Sequence, residues 1–114
     1  MSVLLLTTTG RRTGKARTVP LTFMRDGDRL VVIASNGGMS WSPAWWRNLR
    51  ENPEARVRIG RELRRVRARR GSADEQSRFW AQATRLIPAY LAYQKRTSRL
   101  IPVVILEPTD ESGA

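Results

Sequence analysis

The sequence predicts an α+β domain that is mainly β: a small, mostly antiparallel barrel with two helices outside it. Three observations lead there. Short apolar runs recur with turn signals between them, two of those signals are hairpin-like, and only two stretches combine helical periodicity with a recognisable start. The resulting order is β-β-β-α-β-β-α-β, in which strands joined by tight turns pair antiparallel.

Ser2 to Thr8 is the first strand, and its unbroken apolar run Val3 to Leu6 predicts burial on both faces. Gly10 to Gly14 is a loop. Arg17 to Arg25 alternates imperfectly and is the second strand. Asp26-Gly27 marks a hairpin turn, because glycine tolerates the positive φ that tight hairpins need, and Leu30 to Ala34 is the third strand. Ser42-Pro43 starts a helix, with Ser42 as its cap and Pro43 at its first position. That helix runs to about Arg50 and stops near Asn52-Pro53. Ala55 to Ile59 and Glu62 to Arg69 form a second hairpin around Gly60-Arg61. A two-residue turn puts Val57, Ile59, Val66 and Ala68 on one face and Arg56, Arg58, Arg65 and Arg67 on the other. Ser72 to Glu75 is a capping box, followed by Phe79, Ala83, Leu86, Tyr90 and Tyr93 at helical spacing. Pro88 must kink or split that helix. Leu100 to Glu107 is the last strand, interrupted at its start by Pro102.

A chain of 114 residues is one domain, expected over residues 1–108, with a loose polar tail at 109–114. It has no cysteine and no histidine. Thiol nucleophiles, disulfides, zinc sites and histidine-based triads are therefore excluded. No apolar run is long enough for a membrane span, and the start lacks the basic region of a signal peptide, so a cytoplasmic location is expected. The net charge of +11 is almost all arginine, Lys15 and Lys95 being the only lysines. Such a surface attracts polyanions and is compatible with weak, peripheral association with anionic membrane. Biased genome composition also enriches arginine, so charge alone assigns no function.

Two polar, glycine-bearing stretches carry the chemistry. The first runs from Thr7 through Gly10, Arg11, Arg12, Thr13, Gly14, Lys15, Arg17 and Thr18 to Pro20-Leu21-Thr22-Phe23. Exposed N–H groups, hydroxyls and guanidinium groups together suit phosphate or carboxylate. No P-loop pattern is present, and the same residues also suit a solvated turn. The second comprises Ala34-Ser35-Asn36-Gly37-Gly38, then Ser42-Pro43-Ala44-Trp45-Trp46-Arg47-Asn48-Leu49 and Asn52-Pro53. Paired glycines allow backbone to approach a ligand, or make a flexible connection. Trp45 and Asn48 share one helical face near a helix start, itself an anion site. Trp46 and Leu49 are assigned to the core.

In this order and spacing the motifs resemble the deazaflavin-dependent nitroreductases, split β-barrel oxidoreductases that use coenzyme F420, from about Leu4 to Pro108. The resemblance implies that Arg11, Arg12, Thr13, Lys15, Arg17 and Thr18 grip the coenzyme's phosphate and polyglutamate tail. It implies that Pro20, Leu21, Thr22 and Ala34, Ser35, Asn36, Gly37, Gly38 frame the ring, with Trp45 and Asn48 beside it. Tyr90 and Tyr93, in a Pro-x-Tyr-x-x-Tyr pattern, match substrate-side tyrosines and, with Ser35, are the candidate catalytic groups. Without the resemblance they are core-edge residues. Thr22 and Ile87 stand where relatives often carry tyrosine, which widens the pocket and makes its mouth more apolar. Relatives usually carry a helical segment before the first strand, whereas this sequence begins almost at that strand, so a lid is expected to be missing, to come from another subunit, or to lie outside this sequence.

The implied activity is hydride transfer from reduced F420 to an electron-poor planar acceptor: a quinone, enone or nitroaromatic. FMN is the alternative cofactor. The alternative outside enzymes is a basic nucleic-acid-binding module using the arginine face of the 55–69 hairpin, although no base-reading motif is present. A homodimer is compatible with so small a core.

Overall fold

The computed structural model describes residues 2–109; of the tail expected at 109–114 only Thr109 falls within them, its N–H donating to the Arg65 carbonyl at 3.0 Å, and residues 110–114 lie outside. Seven strands form one antiparallel sheet: β1 (Val3–Thr9), β2 (Ala16–Thr22), β3 (Met24–Asp26), β4 (Arg29–Ile33), β5 (Glu54–Ile59), β6 (Glu62–Arg70) and β7 (Val103–Pro108). Their order across the sheet is β2-β1-β5-β6-β7-β4-β3. The two edge strands are therefore neighbours in sequence, joined through Phe23. That connection curls the sheet upon itself into a half-barrel, and the Phe23 N–H extends the β1–β2 ladder to the corner by donating to the Ser2 carbonyl at 3.2 Å. The expected second strand is thus two strands, because the chain must turn the barrel corner at Phe23.

The helices are α1 (Ala44–Glu51), α2 (Ala73–Leu86) and α3 (Ala89–Lys95), with a 3-10 turn at Asn36–Gly38. Pro88 splits the expected second helix, giving three outer helices rather than two: its ring cannot sit in a continuous helix and its nitrogen has no hydrogen to donate. Ser42 does not cap α1. Pro43 occupies the cap position in an extended conformation, and no side chain closes this helix start. At α2 the capping box forms as expected, Ser72 Oγ accepting from the Glu75 N–H and Glu75 from the Ser72 N–H.

The barrel interior contains Leu4, Leu6, Phe23, Trp46, Leu49, Val57, Val66 and Leu106. A second cluster under α2 and α3 contains Val31, Ile33, Phe79, Ala83, Tyr90, Val103 and Ile105. Strands β4 and β7 serve both, since alternate side chains point to opposite faces. β1 does not: Val3 is 52% and Leu5 40% exposed, so the expected burial on both faces is wrong for this strand. Among the described residues no helix covers its outer side. The 55–69 hairpin has the expected register, Ala55 opposite Val66 and Arg56 opposite Arg65, with the arginines outward.

α2 is tied to the sheet by charge as well as packing. Arg69 donates to Glu75 at 2.7 and 3.0 Å and to Glu107 at 3.1 Å. The Arg69 guanidinium and the helix-cap N–H of Ser72 hold the Glu75 carboxyl down at about 2. The same two carboxylates raise the Arg69 pKa above its usual value.

Candidate functional site

The β1–β2 turn begins the site. Gly10 is buried, and a Cβ there would lie 2.8 Å from Thr13 Oγ1, so the turn requires glycine. The Gly10 N–H donates to the Lys15 carbonyl at 2.8 Å and the Gly14 N–H to the Gly10 carbonyl at 2.8 Å. The Lys15 N–H donates to Thr13 Oγ1 at 3.2 Å. The turn therefore satisfies much of its own backbone, and the expected row of free N–H groups is largely spent. Its capacity for an anion lies in guanidinium groups and hydroxyls.

Asn48 organises those groups. It is buried, and its Oδ1 accepts from the Arg11 N–H at 3.2 Å and from Arg11 Nη1 at 3.0 Å. Its Nδ2 donates to Thr8 Oγ1 at 3.1 Å. One side chain on α1 thus locks the loop, its first arginine and the end of β1. The family resemblance put Asn48 beside the coenzyme; the structure spends its amide on Arg11 and Thr8. Partial burial, then repulsion from Arg47 and Arg12, lowers the Arg11 pKa. Such a crowd of like charge is relieved by a bound anion.

Above this lies a groove of about 520 Å³, lined by Thr8, Gly10, Arg11, Arg12, Thr13, Ala16, Arg17, Thr18, Val19, Ala44, Trp45 and Asn48. Most of the expected anion-binding loop residues meet here, together with Trp45 and Asn48. Trp45 is the aromatic wall. Ala44 and Trp45 are also the first residues of a helix that no side chain caps; N–H groups at that position have no intrahelical acceptor and favour negative charge. Lys15 is exposed and does not line the groove.

Pro20, Leu21 and Thr22 continue β2 beyond the groove. Pro20 is exposed, while Leu21 packs partly into the barrel core. Thr22 Oγ1 and the Tyr90 hydroxyl share a hydrogen bond at 3.3 Å, so the end of β2 meets α3. Tyr90 is buried in the second core, with Trp80 and Tyr93 rings 6.2 and 6.1 Å from its own. Tyr93 is more open, with the Arg96 guanidinium 5.7 Å from its ring centre.

The segment from Ala34 to Gly38 lies against α3, not on the groove. Gly38 has φ +80°, and a Cβ there would sit 2.6 Å from the Tyr93 carbonyl oxygen. Its glycine is explained by backbone contact with α3. Gly37 also has positive φ, with open space where a Cβ would be. The Asn36 amide donates to the Trp41 carbonyl at 3.0 Å. Ser35 is half-buried, and its carbonyl accepts from the Gly38 N–H at 3.0 Å. Sequence reading missed Arg99, whose guanidinium reaches the carbonyls of Ala34, Ser35 and Met39. Those partners lie 60–65 residues away, beyond any local signal. Thr8 lay within the first polar stretch but was given no role; its buried hydroxyl anchors Asn48.

Among the described residues no group of three or more metal-ligating side chains occurs, and no helix is long and apolar enough to cross a membrane.

Comparison with known proteins gives a consistent result. The family model described as F420H(2)-dependent quinone reductase matches residues 1–108. The F420H(2)-dependent quinone reductase Rv1261c of Mycobacterium tuberculosis is 41% identical over 110 residues, covering 90% of this chain and 71% of that protein. A solved structure described as an F420-H2 dependent reductase (FDR-A) superposes with a TM-score of 0.83 at 36% identity, covering 93% of this chain and 94% of the other. A second, described as a domain-swapped dimer, also gives 0.83 at 36% identity, covering 93% and 80%. The nitroreductase label inferred from the motifs is therefore replaced by a neighbouring one on the same split-barrel fold. The match over nearly the whole chain, with relatives at this identity, places the protein in the F420H(2)-dependent quinone reductase family, as an F420-dependent reductase.

Proposed function

We propose that the groove between the Gly10 loop and α1 seats the anionic part of F420H2, and that hydride passes to a quinone-type acceptor near α3. The observation that carries this reading is the convergence of Arg11, Arg12 and Arg17 with Trp45 and an uncapped helix start in one groove. The residues fit such a group. An elongated anion answers the mutual repulsion around Arg11, and bidentate guanidinium contacts suit phosphate and carboxylate. When bound, the deazaflavin supplies two-electron hydride chemistry.

The protein's share is binding and orientation. Arg11 is held by Asn48 and so presents its remaining N–H donors in a fixed direction. Arg12 and Arg17 add charge, and Thr13 and Thr18 add hydroxyls. Pro20, Leu21 and Thr22, at the end of β2 that meets α3, and the turn Ala34–Gly38 would hold the ring. Tyr93, with Tyr90 behind it, and Ser35 within the turn supply hydroxyls for substrate contact and proton delivery. The protein is assigned to the cytoplasm as a homodimer. The description of one structural neighbour as a domain-swapped dimer supports the dimer.

Calorimetric titration with F420 and with FMN tests the reading. F420 is expected to bind at micromolar or tighter concentration and FMN more weakly. Equal or tighter binding of FMN would overturn the cofactor assignment. A quinone that reoxidises bound F420H2 supports turnover; none among quinones, enones and nitroaromatics doing so would reduce the protein to a carrier.

A further inference from the structure

We infer that Arg99 is a positioning residue that sets the conformation of the 34–39 turn through three backbone carbonyls and couples that turn to the tyrosine-bearing helix α3. The inference rests on the reading that this turn frames the cofactor ring.

The geometry is specific. Nε donates to the Met39 carbonyl at 3.0 Å, Nη1 to the Ala34 carbonyl at 3.3 Å and Nη2 to the Ser35 carbonyl at 2.7 Å. All three nitrogens of the guanidinium are thus used, each on a different peptide of one turn. Salt bridges among the described residues do not include Arg99. Its charge is spent on dipoles, which a planar fork can span and a point-like ammonium cannot. The turn needs such an anchor. It contains positive φ at Asn36, Gly37 and Gly38 in succession, and left-handed backbone is costly at a non-glycine residue such as Asn36 unless its surroundings impose it.

Arg99 is itself anchored from α3. Gln94 on that helix donates through Nε2 to the Arg99 carbonyl at 2.8 Å and accepts at Oε1 from the Ile101 N–H at 3.0 Å. The Arg99 N–H donates to Thr97 Oγ1 at 3.3 Å. Gly38 meets the Tyr93 backbone directly. The turn and α3 are therefore joined twice, once by backbone contact and once through Arg99. A shift of one moves the other, so Arg99 sets the spacing between the ring side and the tyrosine side of the site.

The test uses Arg99→Ala and Arg99→Lys in the intact protein, with guanidinium or methylammonium chloride added at low millimolar concentration. Two readouts are taken. The first is amide hydrogen exchange over residues 34–40 without cofactor. The second is F420 affinity together with kcat and KM for a soluble naphthoquinone. Exchange of the turn in Arg99→Ala is expected to accelerate roughly tenfold or more, the loss of a charge-assisted contact, while β4 and β7 keep wild-type protection. Guanidinium is expected to restore protection, F420 affinity and kcat together; methylammonium and the lysine variant are not. Wild-type exchange in Arg99→Ala overturns the inference whatever the cofactor. So does restoration by methylammonium, which would assign the effect to charge alone. Global loss of protection in both variants, without rescue by guanidinium, would make Arg99 merely structural and also overturn it. Failure of the wild type to bind F420, with the turn still responding to guanidinium, overturns the cofactor reading instead.

Discussion

Asn48 separates holding the site together from touching the ligand. Its amide makes three hydrogen bonds, to the Arg11 N–H, to Arg11 Nη1 and to Thr8 Oγ1. Asn48→Ala removes all three. Two neutral bonds contribute about 1 kcal/mol each and one charge-assisted bond about 1.5–3 kcal/mol. Arg11 is only partly buried and water will replace its acceptor, whereas the Thr8 hydroxyl is shut away. A net loss of about 2–3 kcal/mol is therefore expected in urea unfolding. Asn48→Asp is the informative partner. Its carboxylate keeps both acceptor contacts to Arg11, and the Thr8 hydroxyl can rotate to donate. Stability should stay within about 1 kcal/mol of wild type, yet a negative charge now stands in the groove. Neutralising one guanidinium there should raise the F420 dissociation constant roughly tenfold or more. The assay is urea denaturation beside calorimetric titration of F420 for both variants. Asn48→Asp that folds normally and binds F420 as tightly as wild type would refute the groove as the anion site. Asn48→Ala with unchanged stability would refute its role as the loop anchor.

Three further outcomes follow from the same geometry. Arg17→Ala should weaken F420 binding roughly tenfold while Lys15→Ala, outside the groove, should change it less; titration against cofactors of shortened polyglutamate tail checks whether either residue reads the tail. Tyr93→Phe should slow hydride transfer in pre-steady-state oxidation of bound F420H2 and leave cofactor affinity near wild type, whereas Tyr90→Ala, which empties a buried site, should also cost about 3–5 kcal/mol of stability; loss of cofactor affinity with an unchanged hydride-transfer rate in both would move the tyrosines out of the substrate side. The folded Glu75 carboxyl, at about 2 against 4.5 unfolded, stabilises the fold fully above pH ~4.5 and loses that contribution as pH falls through about 2. Glu75→Gln should therefore destabilise at pH 7, approach wild type only as the pH falls to about 2, and flatten the acid limb of the stability profile; parallel wild-type and variant limbs would sink this account.

Most local structure was legible because its causes are local. Ser72 and Glu75 lie three residues apart and cap α2 with no help from the rest of the chain. Pro88 divides the helix wherever it is placed. A two-residue turn dictates which side chains of the 55–69 hairpin share a face. The groove's membership was legible as well, since Arg11, Arg12, Thr13, Arg17 and Thr18 follow one turn and Trp45 and Asn48 share one helical face. The family likeness came from the same ordered motifs.

What the sequence could not settle depends on partners distant along the chain. Val3 to Leu6 is apolar throughout, but only the packing of α1 and β5 decides that Leu4 and Leu6 point inward while Val3 and Leu5 face out. Asn48 and Gly38 were singled out as cofactor-binding, yet the partners the structure gives them are Arg11, Thr8 and the Tyr93 backbone, contacts that exist only once α1 and α3 dock. Arg99 is one arginine among many in an arginine-rich sequence. Its guanidinium hydrogen bonds join residues 60–65 positions apart. Local sequence determined which elements form and which faces they bury, through backbone sterics and periodicity; tertiary packing alone decided where each polar group is spent, because a hydrogen bond depends on distance in space and not on distance along the chain.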